Sequence, residues 1–223
     1  MSKKLLFQAL LKFFSGLILV LLLLFIPAGS FKYYNGWLFI GLLFIPMFMA
    51  GIILLIVNPD LLRRRLDVKE KETEQKEVII LSGIMFLTGF IIAGLNYRFN
   101  WISISNTITI ISSILFLLSY ILYAEVLREN EFLFRTIKVQ ENQKVVDKGL
   151  YSVVRHPMYA ATIILFLTIP LILGSLISFF IFLIYPFVIV KRINNEEKVL
   201  EKELKGYNEY KKKVKYKLIP FIW

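Results

Sequence analysis

The sequence contains no cysteine and a single histidine, His156, in 223 residues. The first absence excludes disulfides, thiolate metal sites and a cysteine nucleophile; the second excludes a histidine-rich metal centre. There is no glycine-rich phosphate loop, no internal repeat, and no linker long enough to separate two independent domains. Charge is scarce as well: 19% of residues are charged, against 57% hydrophobic and a mean hydropathy of +0.68. That balance is too apolar for an ordinary water-soluble domain, so the chain reads as an integral membrane protein.

What is present is a series of apolar runs: residues 5–26, 36–57, 78–95, 107–127, 158–173 and 176–190. At ~1.5 Å rise per residue the first four are long enough as helices for a ~30 Å hydrocarbon core. The last two are shorter and meet at Gly174-Ser175, which reads as a tight helical hairpin with Pro170 and Pro186 in its arms. The expected fold is an all-α polytopic membrane bundle of about six membrane-embedded helices. The first run reads as a retained helix, not a cleaved leader, with Lys3, Lys4 and Lys12 snorkelling from its start. Residues 1–57 form a two-helix membrane segment in this reading, and residues 58–223 a core with a C-terminal hairpin and a polar tail. Residues 128–154 read as interfacial helix and loop.

Lysine and arginine placement orients the bundle. Of the 27 basic residues, only Lys32 and Arg98 fall in the loops on one side, and all 16 carboxylates lie with the other basic residues. Both termini are therefore expected in the cytoplasm, on a face drawn to anionic headgroups. Nucleic acid is the competing partner for a basic tail; it is disfavoured because Lys211, Lys212 and Lys213 closely follow membrane spans. No protein partner is implied.

Two polar clusters flank the last hairpin. Gly149 to Tyr159 carries Arg155 and His156 before Pro157, a residue suited to the first turn of a helix. Arg192 to Glu197 lies beyond the second arm. A hairpin returns both arm ends to one side, so Arg155, His156 and Tyr159 should meet Arg192, Glu196 and Glu197. The bland alternatives are a capping histidine and an i, i+4 surface pair between Arg192 and Glu196. Cations, carboxylates and tyrosines without a metal or a nucleophile suit a zwitterionic cofactor that carries its own reactive group, of which S-adenosylmethionine is one.

The pattern Gly149-x-Tyr151-x-x-x-Arg155-His156-Pro157-x-Tyr159, with Arg192-x-x-x-Glu196-Glu197-x-x-Leu200 and Gly206-Tyr207-x-x-Tyr210, resembles the isoprenylcysteine carboxyl methyltransferase family. The wider phospholipid N-methyltransferase group shares parts of it. Asn58-Pro59-Asp60-Leu61-Leu62-x-x-Arg65, Asn130, Val139-Gln140 and Ile219-Pro220 extend the similarity from about residue 58 onward. The resemblance implies S-adenosyl-L-methionine as cofactor, in a cytoplasmic pocket over the last hairpin. Gln140, Gly149, Tyr151, Arg155, His156, Pro157, Tyr159 and Glu197 would line or support it. Arg192 is the candidate for orienting an anionic acceptor and Glu196 the candidate base should the acceptor be an amine. The acceptor is expected to be lipophilic, with Phe132, Leu133 and Phe134 at an entrance from the bilayer.

Two rival functions remain at this level. A membrane reductase of the sterol type shares an Arg-His-x-x-Tyr core with a nicotinamide cofactor, but Tyr159 is followed here by Ala160-Ala161 and not by a glycine and an acid. A transporter would place polar groups near the midplane, where this chain offers only hydroxyls such as Thr88, Ser119, Thr162 and Thr168. Topology is directly testable: a reporter fused after Trp223 should read as cytoplasmic, and an external reading would overturn the orientation.

Overall fold

The computed structural model describes residues 3–66, 73–130, 132, 139 and 143–223. Every regular element among them is helical: α1 (Lys3–Ala28), α2 (Tyr34–Val57), α3 (Pro59–Leu66), α4 (Thr73–Phe99), α5 (Asn106–Glu129), a 3-10 turn (Gly149–Ser152), α6 (Pro157–Ile172), α7 (Leu176–Phe182), α8 (Ile184–Glu203) and α9 (Tyr207–Lys213). Among the described residues five helical stretches are long and apolar enough to cross a membrane: α1, α2, most of α4, α5, and the combined run Leu176–Glu203. The apolar α6, at 16 residues, is shorter. The expected all-helical polytopic bundle is what folds.

The boundaries differ from the sequence reading where polar residues extend a helix. α4 begins at Thr73 and ends at Phe99, so its ends overrun the apolar block 78–95. The charged stretch after Val190 stays helical, as the sequence suggests to about Gly206: α8 carries the second arm on to Glu203, so the apolar arm and the Arg192–Glu197 cluster share one helix. Between α7 and α8 the helix is interrupted at Leu183. Pro186 explains the break: it has no N–H to offer the carbonyl four residues back and its ring crowds that carbonyl. Asn58 caps α2, and Pro59 then opens α3 in the first-turn position proline tolerates. Within 128–154, residues 143–148 are non-helical and one 3-10 turn follows.

One apolar cluster runs through the bundle. It joins Leu24, Phe25 and Ala28 of α1, Phe39 and Phe44 of α2, Phe90 and Ala93 of α4, Phe116 of α5, Ile169 of α6, Phe182 of α7 and Ile189 of α8. Aromatic rings dominate it, as in the edge-on contacts of Phe86 with Phe166 and Phe182 at 4.8 and 5.4 Å. The large apolar side chains that point outward, such as Phe7, Ile26, Ile56 and Phe187, are what a lipid-facing surface requires.

The end of the bundle remote from the termini is tied by hydrogen bonds between loops. The Tyr33 hydroxyl donates to the Leu173 carbonyl at 2.6 Å, Asn35 Nδ2 to Ile172 at 2.8 Å, and Asn96 Nδ2 to Ile102 and Gly174 at 2.9 and 3.2 Å. The Gly174-Ser175 turn thus lies at the same end as the α1–α2 and α4–α5 loops, even though α6 rises only ~24 Å at ~1.5 Å per residue. Buried carbonyls at helix ends need such partners.

The midplane hydroxyls bond back onto their own helices: Thr88 to Ile84, Ser119 to Leu115, Thr162 to Tyr159 and Thr168 to Leu165. This is the usual way a helix satisfies a lone hydroxyl.

α1 meets α4 at Gly94, where an added Cβ would lie 2.5 Å from the Leu24 carbonyl oxygen and 3.1 Å from the Ala28 nitrogen. Both obstacles are backbone, so Gly94→Ala must push the helices apart. We expect a loss of about 1–3 kcal/mol, the usual cost of overpacking, measured by thermal unfolding in detergent. Unchanged stability would show that the approach is slack.

Candidate active site

The Arg155-His156 corner is positioned from three directions. Gly149 adopts φ +58°, a conformation that favours glycine, and it abuts the end of α5: an added Cβ would stand 1.7 Å from Glu129 Oε1. The Glu129 carboxylate accepts the Leu150 N–H at 2.8 and 3.1 Å, which pins the 3-10 turn to α5. The Tyr210 hydroxyl of α9 donates to the Tyr151 carbonyl at 2.7 Å. Finally, the Arg155 and His156 N–H groups donate to the Tyr216 and Lys217 carbonyls, both at 2.9 Å. Residues far apart in sequence therefore hold this corner in one place. His156 occupies the N-cap position of α6, but its side chain makes no capping bond.

The His156 ring turns instead toward Glu197 of α8. Glu197 Oε1 receives Arg155 Nε at 2.8 Å and lies 3.1 Å from His156 Nε2, while Oε2 pairs with Lys217 Nζ at 3.2 Å. Arg155, His156 and Glu197 are all buried, between 4% and 6% exposed. Arg155 completes its hydrogen bonding on the Val214 and Lys215 carbonyls at 2.6 and 2.9 Å. Lys217 also donates to Asn194 Oδ1 at 2.7 Å, and its ammonium sits 4.9 Å from the centre of the Trp223 ring. Buried charges persist only when paired and hydrogen-bonded in this way.

One residue earlier on α8, Glu196 belongs to a different arrangement. Its Oε2 accepts the Tyr159 hydroxyl at 2.6 Å, and the same hydroxyl oxygen accepts Arg192 Nε at 2.9 Å. The Arg192 guanidinium also lies 5.9 Å from the centre of the Tyr159 ring. Arg192 and Glu196, one helical turn apart, thus grip one phenol of α6 between them, which is more than a solvated surface pair.

These groups face a cleft of about 820 Å³, counting its open mouth. Tyr151, Arg155, His156, Tyr159, Arg192 and Glu196 line it, as do Asn130, Lys144, Tyr207 and Tyr210. Phe132, Met158 and Leu200 supply apolar wall. Gly149, Pro157 and Glu197 do not line it: Gly149 makes the turn, Pro157 starts α6, and Glu197 stands behind the wall with both oxygens engaged. Gln140, Leu133 and Phe134 lie outside the described residues.

Sequence reasoning did not single out Lys217 or Tyr207 as site residues. Lys217 is one of several lysines in the tail and nothing local distinguishes it. Tyr207 had a signal, its place in Gly206-Tyr207-x-x-Tyr210. Its hydroxyl is buried and has no hydrogen-bond partner among the described residues. Burial, followed by the nearby Glu197 and Glu196 charges, pushes that hydroxyl well above the usual tyrosine range, so it remains a donor at neutral pH.

The phospholipid methyltransferase family matches residues 107–206, from the start of α5 to the turn before α9. The solved structure of the eukaryotic intramembrane Ras methyltransferase, isoprenylcysteine carboxyl methyltransferase, is similar over 93% of this chain and 74% of that one, with a TM-score of 0.55 and 19% identity. At that identity the likeness establishes the fold. The delta(14)-sterol reductase of Mus musculus is 30% identical over 91 residues, 40% of this chain. The chain spans only 22% of that reductase's length.

Removing the charge of Glu197 should unbalance Arg155 and Lys217 in a buried site. Glu197→Gln is expected to cost about 3 kcal/mol or more of stability, the scale of a broken buried pair, read by unfolding in detergent. A loss under ~1 kcal/mol would show that the network is not holding the corner. Residues 107–206 carry the phospholipid methyltransferase match, and the chain as a whole has the fold of isoprenylcysteine carboxyl methyltransferase, five of its described helical stretches being long and apolar enough to cross a membrane.

Proposed function

We propose that the protein transfers the methyl group of S-adenosylmethionine to a lipophilic, membrane-partitioned acceptor, a carboxylate that becomes a methyl ester. The observation that carries this reading is the Arg192–Tyr159–Glu196 grip at the mouth of the α6–α8 hairpin, within a cleft lined by both polar and apolar side chains. Residues 58–223 serve as the catalytic core, and the cleft opens at the cytoplasmic face, where most of the basic residues gather.

The lining fits the cofactor's chemistry. A zwitterion with an ammonium and a carboxylate needs an acceptor and donors. Glu196 presents the acceptor, and the buried Tyr207 hydroxyl is a donor with no partner among the described residues. Glu197, whose oxygens are committed to Arg155, His156 and Lys217, supports the wall. When bound, S-adenosylmethionine supplies a methyl group activated by its sulfonium.

The chain's own residues then have distinct tasks. Glu196 accepts hydrogen bonds from the cofactor's ammonium, and Tyr159 keeps its carboxylate oriented. Arg192 receives the acceptor carboxylate through parallel hydrogen bonds that a planar guanidinium can make and an ammonium cannot. A carboxylate acceptor is already ionised at neutral pH, so no general base is required. Phe132 and Met158 offer an apolar approach for the acceptor's hydrocarbon part. If the acceptor is an amine, as in phospholipid N-methylation, Glu196 or His156 takes its proton.

Purified protein should bind labelled S-adenosylmethionine in preference to NADPH; the reverse would sink the reading in favour of a reductase. Glu196→Gln should weaken cofactor binding by about 1.5–3 kcal/mol, the worth of a charge-assisted hydrogen bond. Arg192→Lys should bind cofactor nearly normally and lose turnover by ~100-fold, the scale of lost reactant positioning. Reduced affinity with retained turnover at saturating cofactor would move Arg192 to the cofactor side.

A further inference from the structure

A second cleft lies between α1, α2 and α3 and shares no lining residue with the candidate active site. It encloses about 700 Å³, counting its open mouth, which is within the ~300–1,000 Å³ of small-molecule clefts. Its walls are aliphatic and aromatic, and Lys12 is the one charged residue among the described residues lining it. Along α1 the lining falls between Leu6 and Phe13, a rise of ~10 Å of helix. At the deep end the Phe13 and Phe48 rings meet, 5.2 Å between centres. At the mouth Leu62 joins Leu5 and Leu55 in a small buried cluster of its own, with Leu66 packed against it.

Lys12 gives the cleft a polarity. It starts well inside α1, yet its ammonium reaches the carbonyl of Leu66 at the end of α3. The stem therefore runs along the apolar wall and the charge emerges at the mouth, as long cationic side chains do in membranes. An ammonium has three donors, and among the described residues Leu66 takes one. Among the described residues the surroundings of the mouth are mostly basic: Lys3 and Lys4 open α1, and Arg63 and Arg64 lie in the last turn of α3, while Arg65 turns to the Tyr123 ring of α5. The carboxylate on that short helix, Asp60, is bonded to Arg63.

We propose that this cleft holds one acyl chain of an anionic phospholipid, with the phosphate at Lys12. The hydrocarbon lies along the Lys12 stem toward Phe13 and Phe48, and the headgroup stays at the level of α3. Chain and charge are recognised separately: an apolar trough accepts any aliphatic chain, and the Lys12 ammonium at its mouth selects the anionic head.

Gly51 makes the trough testable. It lines the cleft, and an added Cβ there meets nothing within 4 Å, so a large side chain can enter the space without displacing backbone. The full chain is purified in mild detergent with equal amounts of phosphatidylglycerol and phosphatidylcholine of the same acyl chains, and retained lipid is counted by native mass spectrometry. Wild type should retain one phosphatidylglycerol with about tenfold preference. Gly51→Trp should lose it while unfolding at the wild-type temperature, and Lys12→Gln should retain a lipid without headgroup preference. If Gly51→Trp does not fold, Ala9→Phe fills the same space from α1. Equal retention of both lipids by wild type, undiminished retention in the filled variants, retention of added palmitate in place of phospholipid, or a lipid-free dimer would each overturn the proposal.

Discussion

A single buried carboxylate, Glu197, holds the candidate active site together. It takes Arg155 and His156 from the corner before α6 and Lys217 from the tail. An ionised group at 4% exposure is costly unless every face of it is answered, and here three nitrogen groups answer one carboxyl. Because Arg155 is shared with the Val214 and Lys215 carbonyls, the tail cannot leave without exposing the pair. The corner, α8 and the tail thus become one rigid unit.

That arrangement divides labour between adjacent carboxylates. Successive residues on a helix point ~100° apart at ~3.6 residues per turn, so Glu197 turns behind the cleft wall while Glu196 faces into it. Glu196 shares the Tyr159 hydroxyl with Arg192, and a phenol that donates to one and accepts from the other fixes both. The proposed methyl transfer from a self-activated donor needs alignment more than acid–base chemistry, and a site made of cross-braced, mutually satisfied groups suits alignment.

The membrane part follows a simpler rule: its hydroxyls donate to backbone carbonyls. Thr88, Ser119 and Thr168 bond to their own helices, Tyr120 and Ser178 reach the Leu43 and Gly89 carbonyls of neighbouring helices, and Tyr33, Asn35 and Asn96 tie loops together at the end away from the cleft. Those ties anchor the turn of the short hairpin, so α6 keeps its N-terminus, with His156 and Tyr159, at the other end of the bundle. Apolar surface facing outward is then left for lipid, and the α1–α2–α3 trough extends that relation from a surface to a site.

The amino-acid sequence by itself determined the class and much of the site. Hydrophobic runs separated by polar turns dictate a helical membrane bundle, because in hydrocarbon every backbone group must be satisfied within its own segment. A hairpin between two polar clusters dictates that Arg155, His156 and Tyr159 meet Arg192, Glu196 and Glu197. The ends of α4 were less legible: Thr73 and Phe99 lie beyond the apolar block 78–95, where polar residues continue a helix without any change of periodicity to mark it. Only the tertiary structure decided which of Glu196 and Glu197 faces the cleft, because neighbours on one helix differ in direction and not in type. It alone brought Lys217 to Glu197 and buried the Tyr207 hydroxyl. Those placements depend on where the tail docks, and long-range docking leaves no local pattern in a run of lysines and tyrosines.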